Sequence, residues 1–193
     1  RPSPGERILD ACSAPGGKTG HLIELQPKLK ALVALDQDPK RINLVKENLE
    51  RLSIKAQLKV ADATLTDTWW DGIFFDKVLI DAPCSASGVI RRHPDIKILR
   101  NPSDIDKLRQ TQLKLLNRVW EVLKPGGELL YVTCSVFSEE NDQVVEDFFK
   151  SCCDAQVEHI NCGWGRSTKF GIQLFPTNNS HDGFYYARLS KLL

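Results

Sequence analysis

Methionine is absent from all 193 residues and the chain opens "RPSPGERILD", so it reads as a fragment or processed chain with something missing upstream. No apolar run approaches the roughly 20 residues that a membrane helix needs. Nor does the start carry the charged, apolar and small-residue series of a secretory signal. The expectation is a cytoplasmic protein with no membrane partner. Net charge is scarce as well: 26 Lys and Arg against 25 Asp and Glu leave +1. Nothing therefore pulls the whole chain toward nucleic acid, and a polyanion site has to come from a local cluster. Six cysteines, at 12, 84, 134, 152, 153 and 162, form no C-x-x-C pair and no His/Cys group at zinc spacing. That argues against a metal and against a thioredoxin-like redox pair. A disulfide scaffold is not expected at this size with 41% hydrophobic residues. No oligomer is indicated.

What is present fits one compact α/β domain over residues 1–193. Strand-like and helix-like segments alternate, the pattern of a mostly parallel sheet with helices on both faces. "RILDAC" (7–12) reads as a strand that Pro15-Gly16-Gly17 breaks into a helix through about Glu24. "ALVALD" (31–36) is a second strand. Asp38 as N-cap and Pro39 at the first helical position then open a helix whose Ile42, Val45, Leu49 and Leu52 share a face. Further strands are expected at 56–62 and 77–82. Residues 86–102 read as a long irregular connection, and such loops are more often functional than decorative. Ser103 or Asp104 caps a helix through Leu123, stopped by Pro125-Gly126-Gly127. A fifth strand follows at 128–134, a helix at 139–150, a sixth strand at "AQVEHI" and a last one at "GFYYARLSK". That makes seven, the final two forming an antiparallel, hairpin-like edge.

The turn "DACSAPGGKTGHL" between a first strand and a first helix lets backbone N–H groups approach a ligand, and the helix N-terminus favours its negative end. It is not a P-loop, because Cys12 stands where that motif needs glycine, and it is not G-x-G-x-x-G. Asp36 ends the second strand about 20 residues after the turn, where an acid takes ribose hydroxyls in Rossmann-type sites; capping a loop is the plainer alternative. Asp62 and Asp81 end the third and fourth strands, so three acids fall at the carboxyl edge of a parallel sheet, where ligands of open sheets bind. Two thiols, Cys84 in "LIDAPCS" and Cys134 in "LLYVTCS", follow strands at the same edge. Free cysteine is among the most buried residue types, so both can be small buried hydrophobes, the reading given to Cys152, Cys153 and Cys162. Residue chemistry alone does not rank Cys84 against Cys134.

Together "DACSAPGGKT", "DAPCSASGVIRRHPDIK", "YVTCSVFSEEN" and "HDGFYYARL" resemble the RNA cytosine-5 methyltransferases of the Sun/RsmB (Fmu) family, closest to its members that act on bacterial small-subunit (16S) ribosomal RNA. The resemblance spans nearly the whole chain and rests on the ordered set of motifs. It implies a Rossmann-like class I fold dependent on S-adenosyl-L-methionine (SAM), with S-adenosyl-L-homocysteine as product. It also implies that Cys12, Ser13, Ala14, Pro15, Gly16, Gly17 and Lys18 wrap the methionine part of SAM. Asp36 would hold the ribose, Asp62 lie at the adenine, and Asp81 lie beside both the methyl donor and the target base. Cys134 matches the nucleophile, and Cys84 the second thiol that assists product release. Members normally carry an upstream RNA-binding helical domain, which this chain lacks.

Chemistry accounts for a thiol. C5 of cytosine is a poor nucleophile until a thiolate adds to C6, and the charge built on the ring needs protonation or a hydrogen bond at N3, which Asp81 is placed to supply. Arg91, Arg92, His93 and Lys97 follow on the loop after Cys84. Of these, Arg91, Arg92 and Lys97 are the expected phosphate contacts, against a solvated loop or an Asp95–arginine pair as the plainer reading. The cytosine has to be unstacked, so the ribosomal RNA partner should be single-stranded or flipped out. A nicotinamide oxidoreductase shares the turn and Asp36 but has no use for two strand-end thiols. A non-enzymatic RNA-binding relative would have lost Cys134 or the Gly16-Gly17 turn. Another RNA (tRNA or large-subunit rRNA) and a catalytically weak fragment stay open, and uracil C5 is set aside only by the resemblance.

Overall fold

The structure, a computed structural model, describes every residue from 1 to 193 except 179. Two compact units divide the chain, one of Arg1–Asp81, Arg118–Leu129 and Lys191–Leu193, the other of Ala82–Asn117 and Leu130–Ser190.

In the first unit strands β1 (Arg7–Asp10), β2 (Ala31–Asp36), β3 (Gln57–Val60), β4 (Phe75–Asp81) and the start of β5 (Leu123–Thr133) lie in the order β3-β2-β1-β4-β5. β1 is parallel to β2 and β4, and β2 to β3. Every residue of β1, and all but the first of β2, is buried, as expected of parallel strands covered on both faces. Helix α1 (Gly17–Leu25) follows β1, and α2 (Pro39–Arg51) follows β2. Asp38 caps α2 by accepting from the Lys40 N–H, as its sequence predicts. Ile42, Val45 and Leu49 turn inward on one core cluster with Ala14, while Leu52 stands just past the helix end. A short helix α3 (Thr66–Trp69) lies between β3 and β4. Buried Arg7 pairs with Asp71 at 2.7 Å and lies over the Phe75 ring.

The second unit holds the rest of β5, β6 (Ala155–Glu158), β7 (Arg166–Ser167), β8 (Ile172–Leu174) and β9 (Phe184–Lys191), in the order β5-β9-β8-β7 with β6 also on β9. Its helices are α4 (Ile96–Leu99), all but the last three residues of α5 (Pro102–Trp120) and α6 (Asp142–Ser151).

Several expectations are corrected. Nine strands are found among the described residues rather than seven. β7 and β8 are short and antiparallel, β7 pairing with β8 and β8 with β9. β9 is therefore no edge; its alternate residues Tyr185, Ala187 and Leu189 are buried because it has neighbours on both sides. α5 ends at Trp120, before Pro125 is reached, because Val122 and Leu123 are wholly buried and the Val122 carbonyl accepts from the Phe75 N–H. β5 then runs through Pro125-Gly126-Gly127, where Gly126 has φ +73 and a Cβ on Gly127 would stand 2.6 Å from Leu123 Cδ1. Asp104 accepts from the Asn101 N–H at the start of α5. The 86–102 connection contains a 3-10 turn (Ser87–Val89) as well as α4. The helix expected from 139 is broken at Asn141, whose side chain is drawn into other bonds. No helix among the described residues is long and apolar enough to cross a membrane.

Candidate active site

In the first unit β1 ends at Asp10, so Cys12 belongs to the loop and not to the strand. Ser13 ties that loop to β2, its N–H and Oγ both donating to the Leu35 carbonyl at 2.8 and 3.0 Å. From α2, Arg41 donates to the Ala14 carbonyl and Asn48 to that of Pro15. Gly16 takes the left-handed conformation at φ +101, and a Cβ there would meet Val45 Cα at 3.0 Å. The loop is thus held from outside, with its backbone turned at a position that glycine alone fills without strain. Around Gly17 a Cβ would meet nothing within 4 Å.

Acids gather at the strand ends above it. Asp36 is buried at the end of β2, accepts from the Asp38 N–H and pairs with Arg41 at 3.3 Å. Asp81, the last residue of β4, pairs with Lys18 at 2.6 Å. Asp62 lies two residues beyond the end of β3, and its carboxylate turns to the Thr64 N–H. Asp10, fully buried, accepts from Thr19 Oγ1 at 2.7 Å; burial, aided by the Asp81 charge, pushes its carboxyl up to about 7. Burial and the charges of Asp10, Asp36 and Asp81 likewise push the Cys12 thiol far up, so it stays neutral.

In the second unit Cys84 Sγ and Cys134 Sγ lie 3.3 Å apart, both half-buried and neither in a disulfide. The Ala82 N–H donates to the Val132 carbonyl and the Gly88 N–H to that of Cys134, which aligns the two chain segments that carry the sulfurs. Their contact, then burial, hold the Cys84 thiol well above its ordinary range. Buried Glu140 lies behind them, accepting from the Ser85 N–H, Ser85 Oγ, Ser135 Oγ and Gln112. Asn141 and Gln173 both donate to the Ser135 carbonyl.

The basic loop is only partly free. Arg91 pairs with Asp182 at 2.6 Å and donates to the carbonyls of Thr177 and Ser180, and Arg92 pairs with the same Asp182 at 2.7 Å. The loop's acid partner is therefore Asp182 and not Asp95. Lys97 is exposed on α4 beside Ile98, which is 85% exposed. Cys152 donates to Asp154 and Cys162 to the Trp164 carbonyl, so both lie in local turns. Among the described residues no group of three His, Cys, Asp or Glu is arranged to hold a metal.

The family described as "16S rRNA methyltransferase RsmB/F" matches residues 1–190. The chain belongs to that family. This RsmB/F chain is 50% identical over 190 residues to the ribosomal RNA small subunit methyltransferase B of Shewanella oneidensis, covering 98% of the chain and 44% of that protein. With the probable ribosomal RNA small subunit methyltransferase B of Coxiella burnetii it is 48% identical over 189 residues, 96% of the chain and 44% of the relative. The chain thus spans less than half the length of the curated relatives it matches. Among solved structures, that of NSun6 from Pyrococcus horikoshii with SFG superposes at a TM-score of 0.86 with 30% identity, over 97% of this chain and 48% of that one. The Rossmann-like methyltransferase fold expected from the strand pattern and motifs is the fold found.

Reading the RsmB/F chain as sequence picked out both thiols, the loop and the strand-end acids, but missed Glu140, Gln112, Arg41 and the serines beside the thiols. Glu140 lay within the quoted "YVTCSVFSEEN", where its neighbours Ser138, Glu139, Asn141 and Asp142 are polar as well, so no local signal set it apart.

Proposed function

We propose that the chain is the catalytic domain of a SAM-dependent RNA cytosine-5 methyltransferase whose substrate is small-subunit ribosomal RNA. The observation that carries the reading is the pair of reduced thiols 3.3 Å apart, each just past the end of a strand. Two such sulfurs suit a reaction that makes and then breaks a thioether to a base. The names of the relatives support the substrate, and the SFG-bound neighbour supports the cofactor class.

The first unit's residues fit SAM. The Ser13 and Gly16 N–H groups are spent inside the fold, but the loop leaves open space at Gly17, and Asp36 keeps carboxylate lone pairs for ribose hydroxyls beyond its bonds to Asp38 and Arg41. When bound, SAM supplies the electrophilic methyl group that the activated C5 takes. Cys134 adds as thiolate to C6 of the unstacked cytosine, which turns C5 into an enamine carbon. Asp81 is the carboxyl proposed to serve N3, which it does by carrying to the ring the proton that Cys134 gives up, and its pairing with Lys18 holds the carboxyl in one orientation. Cys84 keeps its proton, because two touching thiols do not both ionise, and stands ready to protonate departing Cys134 once a general base has taken the C5 proton. Among the described cations of this loop, exposed Lys97 is the one offered to RNA phosphate; Arg91 and Arg92 first anchor the loop through Asp182.

The test is covalent trapping with SAM and small-subunit RNA carrying 5-fluorocytosine, resolved on a denaturing gel. Fluorine does not leave as a proton does, so the methylated adduct persists. A shifted band in wild type and Cys84→Ser that disappears in Cys134→Ser is expected. Loss with Cys84→Ser instead reverses the two roles, and no band from protein that binds both SAM and RNA overturns the cytosine reading.

A further inference from the structure

We infer that Glu140 is a positioning residue that holds the two thiols opposite each other, an inference that rests on the cytosine-5 reading above. Glu140 is completely buried. Its Oε1 accepts from the Ser85 N–H at 2.8 Å and from Gln112 Nε2 at 3.1 Å; its Oε2 accepts from Ser85 Oγ at 2.6 Å and Ser135 Oγ at 2.5 Å. Ser85 directly follows Cys84, and Ser135 directly follows Cys134. One carboxylate therefore grips the residue beside each sulfur, while its bonds go to the serines and Gln112 rather than to sulfur. Gln112 also donates to the Pro83 carbonyl at 2.8 Å, so Cys84 is held on its other side too. Glu140's own carbonyl accepts from Tyr131 Oη at 2.7 Å, which ties the clamp back to β5.

A carboxylate suits this place because two oxygens take four donors at once, and the donors stand in for a buried cation. The need is geometric. Cys84 stands three residues past the end of β4 and Cys134 one past the end of β5, where the backbone bonds of Ala82 and Gly88 align the segments but do not by themselves fix the side chains. A misplacement of about an ångström costs a reaction on the order of 100-fold.

The test uses the same chain with Glu140→Ala, Glu140→Gln and the double variant Ser85→Ala/Ser135→Ala. Diamide closes Cys84 and Cys134 into a disulfide, each thiol giving up its hydrogen as the reagent becomes the hydrazine. The rate is read by mass without RNA or SAM, and adduct formation on 5-fluorocytosine RNA is read in parallel. Glu140→Ala should slow both by roughly 10- to 100-fold, with the SAM Kd and far-UV spectrum unchanged. Glu140→Gln should recover most of the loss, because the serine hydroxyls can reverse to meet an amide. If Glu140→Ala does not fold, the serine pair decides the matter in its place. Closure and adduct rates equal to or above wild type in a folded variant overturn the inference. Should wild type form no adduct yet close its disulfide with diamide, the cytosine reading fails, and the disulfide rates alone still judge the clamp.

Discussion

Replacing Asp10 by Asn should remove a defined part of the pH dependence of folding. Asp10 is fully buried at the end of β1 and bonded to Thr19, and burial lifts its carboxyl from 3.8 to about 7. A carboxyl whose folded value exceeds its unfolded one binds more protons when folded. Stability is therefore highest below about 4 and falls as pH rises toward the folded value. Between pH 5 and pH 7 the loss from this group is about 2 kcal/mol, the slope approaching about 1.4 kcal/mol per pH unit. Above pH 8 the charged form is established in both states and the curve flattens. Asparagine keeps the oxygen that accepts from Thr19 and carries no charge, so its stability should not share this fall. Urea unfolding of both proteins at pH 5, 6, 7 and 8, without SAM, cancels every other titrating group in the difference. The stability of Asp10→Asn relative to wild type should climb by about 2 kcal/mol from pH 5 to pH 7. Parallel curves would refute the reasoning and mean that Asp10 stays ionised in the folded chain.

Gly16→Ala places a Cβ 3.0 Å from Val45 Cα on a backbone with φ +101, so it should cost about 1–3 kcal/mol of stability. It should also weaken SAM binding by roughly tenfold in calorimetry if the loop shifts; unchanged affinity would separate the loop from the cofactor. Lys97→Ala should lower the salt slope of RNA binding by about 1. Arg91→Ala, by contrast, breaks the Asp182 pair and two carbonyl bonds and should lower Tm by a few degrees, its salt slope nearly intact. The reverse pattern would return Arg91 to the phosphate contacts.

The alternation of apolar runs with amphipathic segments was enough to specify a parallel α/β chain, because β1 and β2 are buried on both faces and α2 on one. Asp36, Asp81, Gly16 and the two thiols were legible as well, since each stands at a strand end or a forced turn, positions that local composition marks. β7 and β8 were not legible: two and three residues carry no period, and only the pairing of β7 to β8 and of β8 to β9 makes them strands. The limit of α5 was misjudged for a related reason, since burial of Val122 and Leu123 stops the helix before the local Pro-Gly-Gly signal acts.

By itself, then, the sequence determined the alternation of the longer strands and helices, the family and the residue types that reach the carboxyl edge. Tertiary structure alone decided which of them meet. The sulfurs of Cys84 and Cys134 are 50 residues apart in the chain and 3.3 Å apart in space, Glu140 closes on the neighbours of both, and Asp182 takes Arg91 from 91 residues away. Contacts of that kind depend on which strands pair and in what register, and the register is set by burial summed over whole strands rather than by any one residue.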